Sequence, residues 1–458
     1  FLTGGQSKNH TTRLMVDQTF KLDINWQANH THSIKTGLHF FNHDLKNEWY
    51  EIRNEFYNSG SDSAYAPEIF GDSSAYADVY NISPKEVAFY IQDKMEFDDM
   101  VINVGLRYDQ FDPESAYPSD RRNPANQLIL PDSMMSLYPQ APVISQISPR
   151  VGFAYQLGGQ AVLHFSYGHF FQMPPMYAMY QNNSFLVDPN NFVTRMGNTL
   201  LEPEKTITYE IGLWQELNQV MALDVALFYR DIYNLLTTKT ISTYNQVKYG
   251  LYSNKDYGNV RGLELKLDLA MGQLKGMVNY TLQYTRGNAD SPGQTFDRAG
   301  NNQDPVNRFI PMGWDQRHTL NGSLIYGTEK YGGSMTAYYN SGSPYTFTPQ
   351  SESVLSRINL YPNNDYRPEK YSVDCSFYYR FKLPGGYSAN LDLNIYNLFD
   401  RLNEEWVNDQ TGRAYTAVIK ETDIAGHRSD FNDYEDRIKN PSMYSSPRMV
   451  KIGIGVNF

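Results

Sequence analysis

The sequence predicts an all-β fold, an antiparallel up-and-down transmembrane β-barrel, and three observations carry that prediction. Segments of period-two alternation recur along all 458 residues. The gaps between them are alternately very short and very long. No run approaches the ~20 apolar residues that a membrane helix needs, and the mean hydropathy is −0.56. A barrel wall escapes such averages, because only every second strand residue faces lipid.

Taken in order, residues 14–26 place Leu14, Val16, Phe20, Leu22, Ile24 and Trp26 on one face and Asp17, Thr19, Lys21, Asp23 and Asn25 on the other. A short turn at 29–33 leads into a strand at 34–41, and a long polar stretch follows at 42–83. Val87, Phe89 and Ile91 then alternate with Tyr90, Gln92 and Lys94. A turn at Asp98 and Asp99 returns the chain through Ile102, Val104, Leu106 and Tyr108.

The same sequence of events repeats. Strands at 150–157 and 161–170 meet at Gly158-Gly159, and those at 206–217 and 221–235 meet at Asn218-Gln219. The pairs 259–270 with 276–285, 317–327 with 333–340, and 371–383 with 387–399 follow. A last strand, 447–458, alternates Val450, Ile452, Ile454, Val456 and Phe458 with Met449, Lys451, Gly453, Gly455 and Asn457. The count is about fifteen strands in one barrel domain over residues 1–458.

Short turns belong to the periplasmic side of such a barrel and long loops to the cell surface. If Phe458 ends at the periplasm, every short turn falls on that side and the first strand runs inward. The first and last strands then point the same way, whereas single-chain bacterial barrels close with an even number. The sequence is therefore expected to be the C-terminal portion of a larger barrel.

Aromatic residues make up 14% of the chain, with 37 tyrosines, which suits girdles at the two membrane interfaces. The expected inward face carries Glu210, Asp224, Arg230, Arg261, Glu264, Lys266, Asp268, Arg317, Asp374, Arg380, Asp392 and Lys451. Its mixed signs suit a lumen packed with another domain better than an ion-selective pore. A net charge of −11 without a basic stripe argues against nucleic acid as a partner. Cys375 is the single cysteine, so no intrachain disulfide and no thiolate metal site exists.

Several short strings then recur in a fixed order. They include Ile147-Ser148-Pro149-Arg150-Val151-Gly152-Phe153, Phe165-Ser166-Tyr167-Gly168-His169, Leu201-Glu202-Pro203-Glu204 and Tyr209-Glu210-Ile211-Gly212. Gly258-Asn259-Val260-Arg261-Gly262, Asp315-Gln316-Arg317-His318 and Asn397-Leu398-Phe399-Asp400 complete the set. In this order and spacing the chain resembles the C-terminal barrel of TonB-dependent outer-membrane transporters, and the terminal aromatic Phe458 resembles the membrane-insertion signal of outer-membrane barrels.

The resemblance implies a barrel of 22 strands, of which the first here is about the eighth, with a plug domain and a TonB box outside this chain. It implies residence in the bacterial outer membrane and import of a scarce nutrient without covalent chemistry, hence no enzyme activity. The implied partners are the TonB energy-transducing complex, a small-molecule, glycan or peptide substrate, outer-membrane lipid and, as an open option, a surface lipoprotein. A barrel used for docking, adhesion or secretion is the alternative.

Binding residues are expected in the loops at 171–204, 287–314, 342–370 and 400–446. Tyr177, Tyr180, Asn182 and Asn183 sit above one strand, and Tyr345, Phe347, Tyr361 and Tyr366 above others. Aromatic faces beside amides grip sugars or peptides by stacking and hydrogen bonds. Asp290, Asp297 and Asp304 offer oxygen donors of the kind calcium takes, without the regular EF-hand spacing. No cofactor and no other metal site is expected; His30 and His32, two apart in a turn, read as solvated.

Overall fold

Alternation with period two gives each strand one face for lipid and one for water, and the sheet that results follows the order of the sequence. The structure, a computed structural model, describes residues 8–56, 66–306, 308–349, 360–414 and 441–457. Nineteen strands share one sheet. Four are short pieces at one rim: Pro67–Ile69, Ala77–Ile82, Arg195–Met196 and Ile310–Pro311.

The remaining fifteen form the wall. They are β1 (Asn9–Gln27), β2 (His32–Asn54), β3 (Lys85–Glu96), β4 (Met100–Asp112), β5 (Ile144–Leu157), β6 (Ala161–Gln172), β7 (Glu204–Asn218) and β8 (Met221–Ser242), followed by β9 (Lys248–Met271), β10 (Leu274–Gly287), β11 (His318–Gly327), β12 (Tyr331–Asn340), β13 (Lys370–Lys382), β14 (Ser388–Tyr396) and β15 (Met449–Asn457). Each pairs antiparallel with the next. The expected up-and-down order is observed.

Tight turns close one end of the wall at residues 28–31, 97–99, 158–160, 219–220, 272–273, 328–330 and 383–387. Gly158 and Gly272 hold φ of 63° and 58° in two of them, a conformation that costs a side chain about 1 kcal/mol or more. Long connections fill the other end. β1 and β15 are each paired on one edge, and among the described residues no ladder joins them. Successive strands alternate in direction, so these two run the same way. Phe458 lies outside the described residues.

Directly opposed residues share a face. One outward row reads Leu213, Val225, Leu265, Tyr280, Leu320 and Tyr339, and the row beside it, facing inward, reads Gly212, Ala226, Glu264, Thr281 and Thr319. Outward hydrophobics such as Leu227, Phe377 and Ile454 stand exposed on the lipid side. Inward charges neutralise one another locally: Lys266 meets Asp268 at 2.9 Å and Arg107 meets Asp109 at 2.8 Å.

Arg261 departs from the expected inward set. It is opposed to Tyr229 and Tyr284, on the outward face, and its guanidinium lies 5.9 Å from the Tyr284 ring. Single-residue alternation through Asn259 and Leu263 puts it there. At the upper aromatic girdle a long cationic side chain keeps its head in the polar interface while its stem lies on apolar surface.

Strand extends into the stretch expected as a polar connection at 42–83 and into residues 236–258, which no expected strand covered. β2 runs on from Phe41 to Asn54, where Ala77–Ile82 adds a rung with Leu45 opposite Ile82. β8 and β9 continue past a register shift between Ile232 and Leu236 and form a two-stranded arm, residues 236–242 against 248–254. Thr237, Thr238, Thr240 and Ile241 are β-branched, and their pairing with Tyr249, Tyr252 and Ser253 sustains the ladder beyond the wall.

Candidate functional site

Above the wall the chain builds a second, dry core. Leu45 from β2, Ile82, Phe111 from β4, Leu201, Leu236 and Tyr252 from the arm converge on a short helix, α1 (Met176–Tyr180). Pro175 precedes α1 with φ of −55°, ready for a helical turn. Ala178, Met179 and Tyr180 are at most 1% exposed. The Tyr180 hydroxyl donates to the Pro113 carbonyl at 2.9 Å, and burial pushes its pKa up. A buried, satisfied phenol of this kind is packing, so Tyr180 holds the layer together and is not in the lining of the cavity beside it.

Beside this core opens a cavity of about 400 Å³ at the upper lumen. Aromatic rings from four segments line it: Trp49 of β2, Tyr76, Tyr177 of α1 and Tyr252 of the arm. Tyr177 is 40% exposed and meets Tyr252 edge to face, with ring centroids 5.8 Å apart. Arg13 and Arg195 bring positive charge to the same walls, Glu51, Asp78 and Asp188 bring carboxylates, and Gln181 and Asn182 bring amides.

Each polar group is held in place. Arg13 donates to the Asn47 side chain at 2.9 Å. Arg195 pairs with Asp297 on a second helix, α2 (Gln294–Gly300). Asp78 accepts the Asn183 main-chain N–H at 3.4 Å, while burial raises its pKa. The arrangement suits a small solute with a flat or apolar body and polar edges.

Of the eight expected binding residues, Tyr177 and Asn182 line this cavity. Asn183 sits behind it, accepting from Ser115 at 3.5 Å. Tyr345, Phe347, Tyr361 and Tyr366 stand elsewhere, in the loop between β12 and β13. Tyr345 is buried, its hydroxyl donates to Asp365 at 3.3 Å, and burial with that carboxylate pushes its pKa to about 12. Phe347 exchanges two hydrogen bonds with the Asn364 amide, Arg308 lies 4.9 Å from the Tyr361 ring, and Tyr366 bonds to Asp315 and Arg317.

The three candidate calcium ligands are dispersed. Asp290 accepts the Gly313 N–H, Asp297 faces Arg195, and Asp304 offers its main-chain carbonyl to Arg298 at 2.7 and 3.0 Å. Among the described residues no group of three or more His, Cys, Asp or Glu converges on a point. His32 meets Asp93 at 2.7 Å.

Sequence reasoning missed Trp49, Tyr76, Tyr252 and both arginines. Trp49 was within reach: continuing the β2 alternation through Leu45, Asn47 and Trp49 puts it on the inward face, opposite Thr11.

The sequence profile described as "TonB dependent receptor-like, beta-barrel" matches residues 2–398. The chain belongs to that family. Its members are outer-membrane receptors and transporters, and this TonB-dependent receptor barrel is accordingly an outer-membrane wall. The "Ferrichrome outer membrane transporter/phage receptor" of Escherichia coli (strain K12) is 23% identical over 323 residues, which are 69% of this chain and 34% of that protein.

Solved structures show the same fold. The outer membrane transporter YddB from Escherichia coli superposes with a TM-score of 0.58 at 12% identity, over 86% of this receptor chain and 52% of that one. FpvA of P. aeruginosa, bound to a heterologous pyoverdine, does so with a TM-score of 0.56 at 13% identity, over 98% and 50%. The receptor chain therefore spans about a third to a half of the length of these relatives.

Proposed function

We propose that this chain supplies the wall and the capture layer of a TonB-dependent importer, taking up a small organic solute across the outer membrane. The cavity lined by Trp49, Tyr76, Tyr177 and Tyr252 beside Arg13 and Arg195 is the observation that carries the reading. Stacking rings fix the solute's body, and the two guanidiniums and the amides select its polar edges. Relatives named for ferrichrome and pyoverdine favour an organic metal chelate over glycan, peptide or vitamin.

In this reading the lumen face receives a plug domain. Lys35, Gln92, Arg107 and Arg150, with Tyr90, Tyr167 and Phe170, line a groove of about 440 Å³ along the strands from β2 to β7, a mixed polar and aromatic seat for such a domain. The energy for release reaches it through the TonB complex, and no bond is made or broken in the substrate.

Tyr177→Ala and Trp49→Ala are each expected to weaken capture by roughly tenfold, the loss typical of an anchoring ring. Binding of a panel of ferric chelates to the purified receptor, followed by tryptophan fluorescence, checks this. Chelates that bind with unchanged affinity in both variants would remove the cavity from the mechanism. Absence of uptake by cells that still display the receptor would favour a docking role instead.

A further inference from the structure

A second and larger cavity, of about 940 Å³, lies between the arm of β8 and β9 and helix α2, outside the aromatic site. Lys239 enters its lining from the arm, Lys255 from β9 just past it, Arg298 from α2 and Arg308 from the segment after α2. Asp256 is the one carboxylate in that lining, and Asp304 bears electrostatically on Arg298. Among the described residues none of the four cations is in an ion pair. In a chain of net charge −11 this concentration of positive charge is local and unlike the average surface.

We propose that this cavity is a binding site for a phosphorylated sugar. Its guanidiniums are oriented by neutral groups: Arg298 donates to the main-chain carbonyls of Asp304 and Leu360, the latter at 3.2 Å, and Arg308 rests over Tyr361. These contacts hold the guanidiniums without cancelling their charge; Nε and Nη2 of Arg298 are spent on the carbonyls, which leaves its Nη1, with Arg308 and the two lysines, to meet phosphate oxygens.

The rest of the lining complements a sugar. Threonine hydroxyls and the amides of Asn288, Gln294 and Gln303 match its hydroxyls, Phe309 offers an apolar face, and the Asn254 amide is spent on Glu202 and Asn234. Thr238, which also lines the cavity, is 1% exposed, and its hydroxyl has no hydrogen-bond partner among the described residues. Buried polar atoms are normally paired, so this orphan is an unusual feature beside the cavity. The volume exceeds what a bare phosphate fills and lies within the range of small-molecule sites.

Titration calorimetry on the receptor in detergent micelles tests the assignment, with glucose 1,6-bisphosphate, glucose, inorganic phosphate and a dispersed phosphoglycolipid as probes. The bisphosphate is expected to bind, more tightly than glucose or phosphate. Its affinity should fall by roughly tenfold or more in Lys239→Gln/Lys255→Gln, whose side chains are in no ion pair among the described residues, and again in Arg308→Gln. Tyr177→Ala should leave it unchanged, which separates this site from the aromatic cavity.

Tighter binding of the phosphoglycolipid than of the soluble sugar would keep the chemistry and assign its source to the membrane. Phosphate binding as tightly as the bisphosphate would overturn the sugar assignment. No binding of any phosphorylated probe, or binding insensitive to the lysine substitutions, would overturn the site.

Discussion

Tyr180→Ala is expected to dismantle the surface layer while leaving the wall assembled. Removing a fully buried ring costs about 3–5 kcal/mol in a packed core, and here the hydroxyl bond to Pro113 is lost as well. The core that it anchors is small, so this sum is large against the stability the layer holds by itself. Tyr180→Phe keeps the ring and loses the bond alone, about 1–2 kcal/mol.

Two readouts separate layer from wall. Limited proteolysis should cut the loops of Tyr180→Ala far faster than those of the parent, and Tyr180→Phe should fall between. Heat-modifiable mobility on gels, which reports the assembled wall, should be the same in all three. Capture of ligand should disappear with the layer, because Tyr177 and Asn182 are carried on the same segment. Unaltered proteolysis in Tyr180→Ala would show that the buried cluster is not what orders the loops.

Leu265→Arg is expected to block assembly, and Glu264→Arg, one residue away, to be tolerated. Leu265 lies between Val225 and Tyr280 on the outward face, near mid-strand, where an arginine costs about 2–4 kcal/mol. Glu264 lies between Ala226 and Thr281 on the wet face, where the same side chain finds water and neighbouring carboxylates. The folded fraction after refolding into lipid vesicles measures both. Equal tolerance of the two substitutions would contradict the facing of this strand.

The wall was legible in the sequence because it repeats one physical rule, alternation between lipid and water, closed by turns whose residues are local signals. Strand order in the wall followed from the same rule, since each of its fifteen strands pairs with its neighbours in sequence; the rim piece Arg195–Met196, parallel to β9, lies outside that rule. The surface layer obeys no such rule. Tyr180 and Tyr177 are three residues apart in a loop of the same composition, yet one is sealed in a core and the other lines a cavity. What separates them is contact with residues more than sixty positions away, such as Pro113 and Tyr252.

The arm of β8 and β9 was missed for a related reason. Asn234, at φ of 59°, and the register shift beside it interrupt the alternation at the point where the wall ends. A single-sequence reading takes that interruption for the end of the strand. Arg261 was misplaced because its charge was weighed above its register. The ladder shows the reverse priority: position along the strand sets the face, and the side chain then reaches for what polar surroundings it can find.

The buried cluster around Tyr180 has a further consequence for the order of assembly. In the wall every ladder joins strands that are neighbours in the sequence; half of the steps close only a tight turn, and the long connections add an entropy cost that grows slowly with length. The cluster is different, since it joins Leu45 to Tyr252 and draws on segments separated by up to some two hundred residues. Such contacts cannot form until the strands from β2 to β9 stand side by side and bring their upper ends within reach. Recognition is therefore the last part of this chain to fold, and a slow final phase in ligand binding after the wall has become heat-resistant would be its kinetic signature.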